Sequence, residues 1–316
     1  MDLSIIIVNY KSSDVLENCL ESIFKHQPSI KYEIIVIDND SRDPGFSVLK
    51  ENYKKVKFIE NRKNRGFSVA NNIAAESAEG EVLLFLNPDT IVKPDALDKM
   101  FKKIVQNPKI GIIGPKVLNF DGSVQKEGAR RLPTLFSMFC NLFMLKMLFP
   151  NTTFFTEYIR NYDAEQEVQF VSGACLGIKN ANFKKIGGFC EDYFMYSEDV
   201  DICDKARGIG LKNYYLPSAL IVHLGGASSK KVPDSKIFEY WFFKSRREYF
   251  MKKGLISGFF VNLIYIFGGA LRIIVGSIEA FLYRLFGKLK EFSYYKMVTK
   301  KYFRVFALGF NIDIHT

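Results

Sequence analysis

Four short runs, each cut off by a polar corner, constrain this chain more than any other feature. Leu3 to Val8, Glu33 to Ile37 and Val82 to Leu86 are dominated by β-branched and aliphatic residues, and Val56 to Glu60 is a mixed run that also reads as a strand. They stop at Asn9-Tyr10, at Asp38-Asn39-Asp40-Ser41, at Asn61-Arg62-Lys63-Asn64-Arg65 and at Asn87-Pro88-Asp89. Runs without polar alternation read as strands buried on both faces. Helices are predicted between them. Asp14 caps the first, with Glu17 completing the box and Val15, Leu16, Cys19, Leu20, Ile23 and Phe24 forming its apolar stripe. Another spans about Ser68 to Ala78 and is closed by Gly80, and Pro94 opens one that reaches Gln106 before a further strand, Gly111 to Val117. Such alternation predicts a mostly parallel sheet with right-handed crossovers. Open sheets of this kind take ligands beyond the carboxyl ends of their strands, where all four corners lie. Asp89 is therefore either one residue of an Asn-Pro-Asp turn or a carboxylate facing a cleft, able to ligate a metal.

At 316 residues the chain has room for one α/β domain with an appendage. No Gly-x-Gly-x-x-Gly follows the first strand and no Gly-x-x-x-x-Gly-Lys-Ser/Thr occurs, so dinucleotide oxidoreductases and P-loop enzymes fit poorly. Cys19, Cys140, Cys175, Cys190 and Cys203 form no Cys-x-x-Cys and have no His at zinc spacing, which predicts reduced, mostly buried thiols. Asp2-Leu3-Ser4-Ile5 enters the first strand without a signal peptide, so the catalytic part is expected inside the cell. Arg62, Lys63 and Arg65 precede a helix amino terminus, either as a seat for diphosphate oxygens or as a solvated basic turn.

Taken in order, Ser4-Ile5-Ile6-Ile7-Val8-Asn9-Tyr10, Val36-Ile37-Asp38-Asn39-Asp40-Ser41, Asn64-Arg65-Gly66 followed by Asn71, and Leu86-Asn87-Pro88-Asp89 resemble the signatures of the family 2 glycosyltransferases. The nearest likeness is to their bacterial rhamnosyltransferase-like branch, and it covers most of Leu3 to Ser228. It implies the GT-A nucleotide-diphospho-sugar transferase fold, an α/β fold with a central sheet flanked by helices. It also implies that Asn9, Tyr10, Asp38, Asn39, Arg65, Gly66, Asn71, Asn87 and Asp89 surround a sugar nucleotide, with Asp89 ligating Mg2+ or Mn2+ on its diphosphate. Asn87 stands where the stricter Asp-x-Asp motif has its first Asp.

The middle of the chain supplies the remaining candidates. Arg130-Arg131-Leu132-Pro133 opens a Phe-, Met- and Leu-rich stretch to Tyr158, read either as an acceptor-side segment touching lipid or as a core helix. Val168 to Ile178 is expected as one strand carrying Ser172-Gly173-Ala174, whose small side chains let a sugar approach the backbone. Glu198-Asp199 begins a helix running through Cys203 to Ala206. The pair are either first-turn acids favouring the helix dipole or the source of a general base. The resemblance implies the base, assigned to Asp199 with Glu198 positioning the acceptor, or the two roles exchanged. His223 follows Ala219 to Val222 and precedes Leu224-Gly225-Gly226-Ala227-Ser228. By itself it reads as a structural strand-end His; the resemblance implies a metal ligand beside Asp89.

The charge of +10 belongs to the tail, since Lys230 to Thr316 holds 16 Lys+Arg against 6 Asp+Glu. Phe238 to Lys253 is aromatic and basic, and Gly254 to Leu271 is uncharged. Lys252 and Lys253 before that run and Arg284, Lys288, Lys290, Lys296, Lys300 and Lys301 after it argue against a simple span. A pair of in-plane or re-entrant amphipathic helices on anionic lipid is expected, the alternative being a soluble appendage or homo-oligomer interface. No nucleic-acid-binding motif accompanies these bases. The expected organisation is a GT-A catalytic domain over 1–232 and a membrane-associating region over 233–316. The expected enzyme is a metal-dependent inverting glycosyltransferase at the cytoplasmic face of the membrane. It would use a nucleotide-sugar donor, dTDP-rhamnose or a UDP-sugar, and a lipid-linked glycan acceptor. The alternative is an inactive sugar-nucleotide-binding subunit or scaffold of a glycan assembly complex.

Overall fold

β1 (Leu3–Asn9) is buried from end to end, as its unbroken apolar sequence requires, and pairs in parallel with β2 (Tyr32–Asp38) on one side. The computed structural model describes residues 1–148, 154–226 and 236–312. β3 (Lys57–Glu60) extends the parallel run beyond β2, and β4 (Val82–Leu86) pairs with the other edge of β1. The helices α1 (Ser13–Lys25), α2 (Pro44–Asn52) and α3 (Phe67–Glu76) connect these strands. Leu16, Cys19, Leu20 and Ile23 of α1 pack into the core with Ile5, Ile7, Val36 and Leu84. α1 begins before the predicted Asp14 box: Ser12 holds the N-cap position without capping, because its Oγ donates to Asn9 Oδ1 instead.

After the corner at Asn87 the chain forms β5 (Thr90–Val92), α4 (Ala96–Gln106), β6 (Ile110–Leu118) and the short β7 (Ala129–Arg130). Residues 133–157 then supply α5 (Leu135–Leu142) and α6 (Leu145–Leu148). The chain returns through β8 (Gln166–Val168), β9 (Phe170–Val171), β10 (Cys175–Lys179), α7 (Asn180–Lys185), α8 (Glu198–Gly208) and β11 (Lys212–His223). Among the described residues the main sheet has nine strands in the order β3-β2-β1-β4-β10-β6-β11-β5, with β8 also on β11. The predicted parallel run is β3-β2-β1-β4, and β11 is parallel to β6. β10 enters antiparallel between β4 and β6, so the whole sheet is mixed. The single strand expected over Val168 to Ile178 is broken. Ser172-Gly173-Ala174 forms a turn between β9 and β10, which leaves its backbone groups free to bond elsewhere.

The chain divides into two compact units, Met1–Leu132 with Tyr158–Pro233 and Pro133–Glu157 with Asp234–Thr316. The expected boundary at 232–233, the Ala227-Ser228 pair and residues 149–153 of the Phe-rich stretch lie outside the described residues. In the second unit α9 (Lys236–Lys252) precedes α10 (Leu255–Leu285) and α11 (Leu289–Gly309). α10 continues well past Leu271, where the uncharged run ends, because Arg272 is used within this unit: its guanidinium donates to the carbonyls of Leu142 and Asn141 on α5. α10 and α11 are antiparallel and close. A Cβ at Gly269 would press on Phe306 at 3.0 Å, and one at Gly276 would lie 2.8 Å from Thr299 Oγ1. By length and composition α10 could cross a membrane. All five cysteines are free thiols, four of them buried and Cys190 half-buried.

Candidate functional site

The site is assembled at the carboxyl ends of β1, β2 and β4. At the β2 corner, Asp38 is closed off by its own neighbours. Its Oδ1 accepts from Asn9 Nδ2 at 2.7 Å and Ser41 Oγ at 2.5 Å, and its Oδ2 accepts from the Ser41 N–H at 2.9 Å. Asn9 is fully buried, so Asn9 and Asp38 brace the corner against each other. Asn39 turns the other way and ties β2 to the basic loop. It donates to Asn64 Oδ1 and the Gly66 carbonyl and accepts from Asn61 Nδ2 and the Arg65 N–H. Gly66 is required there, since its φ is +85° and a Cβ would lie 2.5 Å from the Phe194 carbonyl oxygen. Arg62, Lys63 and Arg65 remain exposed at the mouth of that loop. Asn71 is buried and donates back to the Phe67 carbonyl within α3. Tyr10 is half-buried under Lys11.

The β4 corner is built for something else. Antiparallel pairing of β5 with β11 sets His223 opposite Thr90, and the Leu224 N–H donates to the Asp89 carbonyl. His223 Nε2 consequently lies 3.2 Å from Asp89 Oδ1 and 3.3 Å from Asn87 Nδ2. The other ring nitrogen identifies the tautomer. Gln125 Nε2 donates to Asn119 Oδ1 at 3.0 Å, which leaves Gln125 Oε1 facing His223 Nδ1 at 2.8 Å. Nδ1 therefore carries the proton in the neutral ring, and the Nε2 lone pair faces a carboxylate. Two such groups repel unless a proton or a metal cation lies between them. Adjacent donors around an octahedral cation with bonds of about 2.1 Å sit roughly 3 Å apart, so the Asp89–His223 separation suits a shared Mg2+ or Mn2+. Among the described residues no group of three or more His, Cys, Asp and Glu can hold a metal, so diphosphate oxygens and water would have to complete the shell.

Gln125 escaped the reading of the sequence. It belongs to the polar turn after β6, whose carboxyl end lies on the same side as that of β11, and that position was the available signal.

The small-residue turn links the β4 corner to the acidic pair. The Asn87 N–H donates to the Ala174 carbonyl at 3.0 Å, and the Gly173 N–H donates to Asp199 Oδ2 at 3.2 Å. Ser172 Oγ accepts from the Ala174 N–H and shapes the turn without reaching Asp199. Asp199 is half-buried, whereas Glu198 is buried and its Oε2 has no hydrogen-bond partner among the described residues. Burial first, and the neighbouring Asp199 second, hold the Glu198 carboxyl well above the ordinary range. Tyr196 and Ser197, both in the left-handed region at φ +67° and +65°, turn the chain into α8 just before the pair. Burial together with the two carboxylates pushes the Tyr196 phenol up to about 12.

Residues 4–187 match the family model described as glycosyl transferase family 2. The chain belongs to that family. It is similar to the N-acetylglucosaminyl-diphospho-decaprenol L-rhamnosyltransferase of Mycobacterium tuberculosis, 29% identical over 74% of this chain and 80% of that one. It is also similar to the rhamnosyltransferase WbbL of Escherichia coli, 27% identical over 80% of this chain and 94% of that one. Among solved structures, a mannosyltransferase of Pyrobaculum calidifontis in complex with GDP-Man and Mn2+ shares the fold. The TM-score is 0.57 at 16% identity, covering 98% of this chain and 86% of that one. The expected GT-A fold of a family 2 glycosyltransferase is thus the fold observed.

Proposed function

We propose that this glycosyltransferase moves a sugar with inversion from a nucleotide-diphosphate donor, dTDP-rhamnose or a UDP-sugar, to a hydroxyl of a lipid-linked surface glycan. One observation carries the reading. His223, Asp89 and Asn87 are tied to Asp199 through the Ala174 and Gly173 backbone, which fixes the distance between a seat for the leaving diphosphate and a base for the acceptor. The names of both rhamnosyltransferase relatives, one including a diphospho-decaprenol carrier, support the lipid-linked acceptor.

Asp199 is the base because it is half-exposed and already accepts from the turn that would face the sugar. It takes the acceptor proton as the acceptor oxygen attacks the anomeric carbon from the face opposite the nucleotide. Glu198, buried and disposed to stay protonated, leaves Asp199 as the charged member of the pair. Arg62, Lys63 and Arg65 attract the diphosphate. Asp89 and His223 would hold the divalent metal, which when bound offsets charge on the departing diphosphate.

Membrane attachment would come from the α10–α11 hairpin. Phe259, Phe267, Ile274, Ile278, Phe281 and Leu285 of α10 are exposed. α11 carries Lys290, Lys296, Lys300, Lys301 and Arg304, too many cations to enter hydrocarbon, so the hairpin lies along an anionic cytoplasmic surface and does not span it.

The test is a thermal-shift panel of dTDP-rhamnose, UDP-glucose, UDP-galactose, UDP-N-acetylglucosamine and GDP-mannose with Mn2+ or EDTA. One donor should stabilise the fold only with metal, and Asp89→Ala or His223→Ala should abolish that shift. Asp199→Asn should retain the shift and lose turnover by about 100-fold or more. A folded protein that responds to no donor would refute the transferase reading.

A further inference from the structure

The second unit contains a cavity of about 260 Å³ between α9 and α11, lined by Glu239, Tyr240, Phe243, Lys300, Arg304 and Leu308 among others. Its chemistry is divided. Tyr240, Val305 and Leu308 are buried and make an apolar floor together with Phe243. The rim is cationic: Glu239 pairs with Lys301 at 3.0 Å and neutralises it, while Lys300 and Arg304 have no carboxylate partner among the described residues. Lys296, Lys300 and Arg304 stand four residues apart along one line of α11 with no acid between them on that line. Like charges at this spacing repel and destabilise a helix. A merely solvated face of a helix gains nothing from such a ladder, and a bound anion offsets it.

We propose that this cavity binds the phosphate of an amphiphile, a phosphate ester carrying an alkyl or polyprenyl chain. Lys300 and Arg304 take the phosphate oxygens, and Tyr240, Phe243, Val305 and Leu308 receive the first carbons of the chain. The volume of about 260 Å³ lies just under the roughly 300 Å³ at which ligand pockets begin, which limits the occupant to a headgroup and the start of a chain. An arginine beside a lysine is suited to a phosphate monoester, which accepts several charge-assisted hydrogen bonds. The site is independent of the transferase reading, since no residue of it belongs to the donor or base groups.

Trp241, the only Trp of the chain, stacks edge-on against Tyr240 with ring centroids 5.7 Å apart, and provides an intrinsic fluorescence probe. The full-length protein would be titrated with dihexanoyl phosphatidic acid, dihexanoyl phosphatidylcholine and inorganic phosphate, each below its micellar range where it has one. Phosphatidic acid should shift the emission saturably, with inorganic phosphate and phosphatidylcholine each weaker by at least about tenfold, one charge-assisted contact or a short apolar contact being worth that much. Lys300→Gln/Arg304→Gln should weaken phosphatidic acid by about tenfold or more, while Lys54→Gln/Lys55→Gln, an exposed pair outside this unit with the same loss of charge, should change it by less than about twofold. Both doubles are judged only after circular dichroism shows a native melting transition. Equal affinity for inorganic phosphate would make this a free-anion site and overturn the proposal. Equal affinity for phosphatidylcholine, equal loss in the two doubles, or no saturable shift would overturn it as well.

Discussion

Asp38 is the last residue of β2 and Asp89 lies in the corner that follows β4, two strands that both pair with β1, and each is 6% exposed, yet their surroundings differ. Asp38 meets three donors from Asn9 and Ser41 and forms a closed corner. Asp89 meets the His223 ring instead, its Oδ1 lying 3.2 Å from Nε2 while Nδ1 of that ring turns to Gln125 Oε1. The side of the sheet and the depth of burial are the same in the two cases. What differs is the kind of partner beside each carboxylate: amide, hydroxyl and backbone donors at Asp38, an imidazole at Asp89.

The largest effects should come from the same substitution made at both corners. Asp38→Asn leaves Ser41 and Asn9 donors facing an amide and should cost on the order of 3 kcal/mol, read as a lower melting temperature. Metal-dependent donor binding should survive at temperatures where the variant is folded. Asp89→Asn should leave stability within about 1 kcal/mol while removing the donor shift and at least about 100-fold of turnover. If Asp89→Asn were the variant that unfolds and Asp38→Asn the one that loses the donor, the roles of the two corners would have to be exchanged.

A smaller effect tests the orientation of His223. Gln125→Ala removes the acceptor that keeps the proton on Nδ1 and should weaken Mn2+ binding by about 10- to 100-fold, the usual cost of losing an outer partner of a metal ligand. Gln125→Glu keeps an acceptor and should restore most of that affinity. Titrating Mn2+ against the donor-induced thermal shift measures both. Equal loss in both variants would mean that Gln125 packs the turn without orienting the ring.

The contrast between the corners also explains what could be read from the residues alone. Val82–Leu86 was read with its observed boundaries, and β1 and β2 to within a residue at each end, because apolar runs of this kind have few ways to fold; β3, with Lys57 and Glu60 exposed, was read to within a residue from its place between turn signals. Pairing of Asp89 with His223 was expected from the family resemblance, and the structure does bring them together. By contrast, Gln125 reaches His223 across 98 positions of chain, and no local period marks such a contact. The turn at Ser172–Ala174 was hidden inside an apolar stretch that looked continuous, although Ser-Gly was the available sign of a break. Neither the saturation of Asp38 nor the burial of Glu198 has a signature in composition, since both depend on which neighbours the fold delivers.

The most gradual predicted effect concerns Glu198, whose burial and acidic neighbour raise its carboxyl pKa in the folded state. Above the ordinary carboxylate value the unfolded chain releases this proton while the folded chain retains it. Stability must then fall as pH rises, until the folded pKa is passed and the penalty levels off. One retained proton limits the slope to about 1.4 kcal/mol per pH unit. Glu198→Gln keeps the shape and cannot ionise, so it should match the parent near pH 4 and become more stable than the parent as pH rises toward 8. Chemical denaturation of both proteins across that range measures the divergence. Parallel curves would show that Glu198 ionises as freely as an exposed carboxylate, and the choice of Asp199 as the charged base would then lose its electrostatic support.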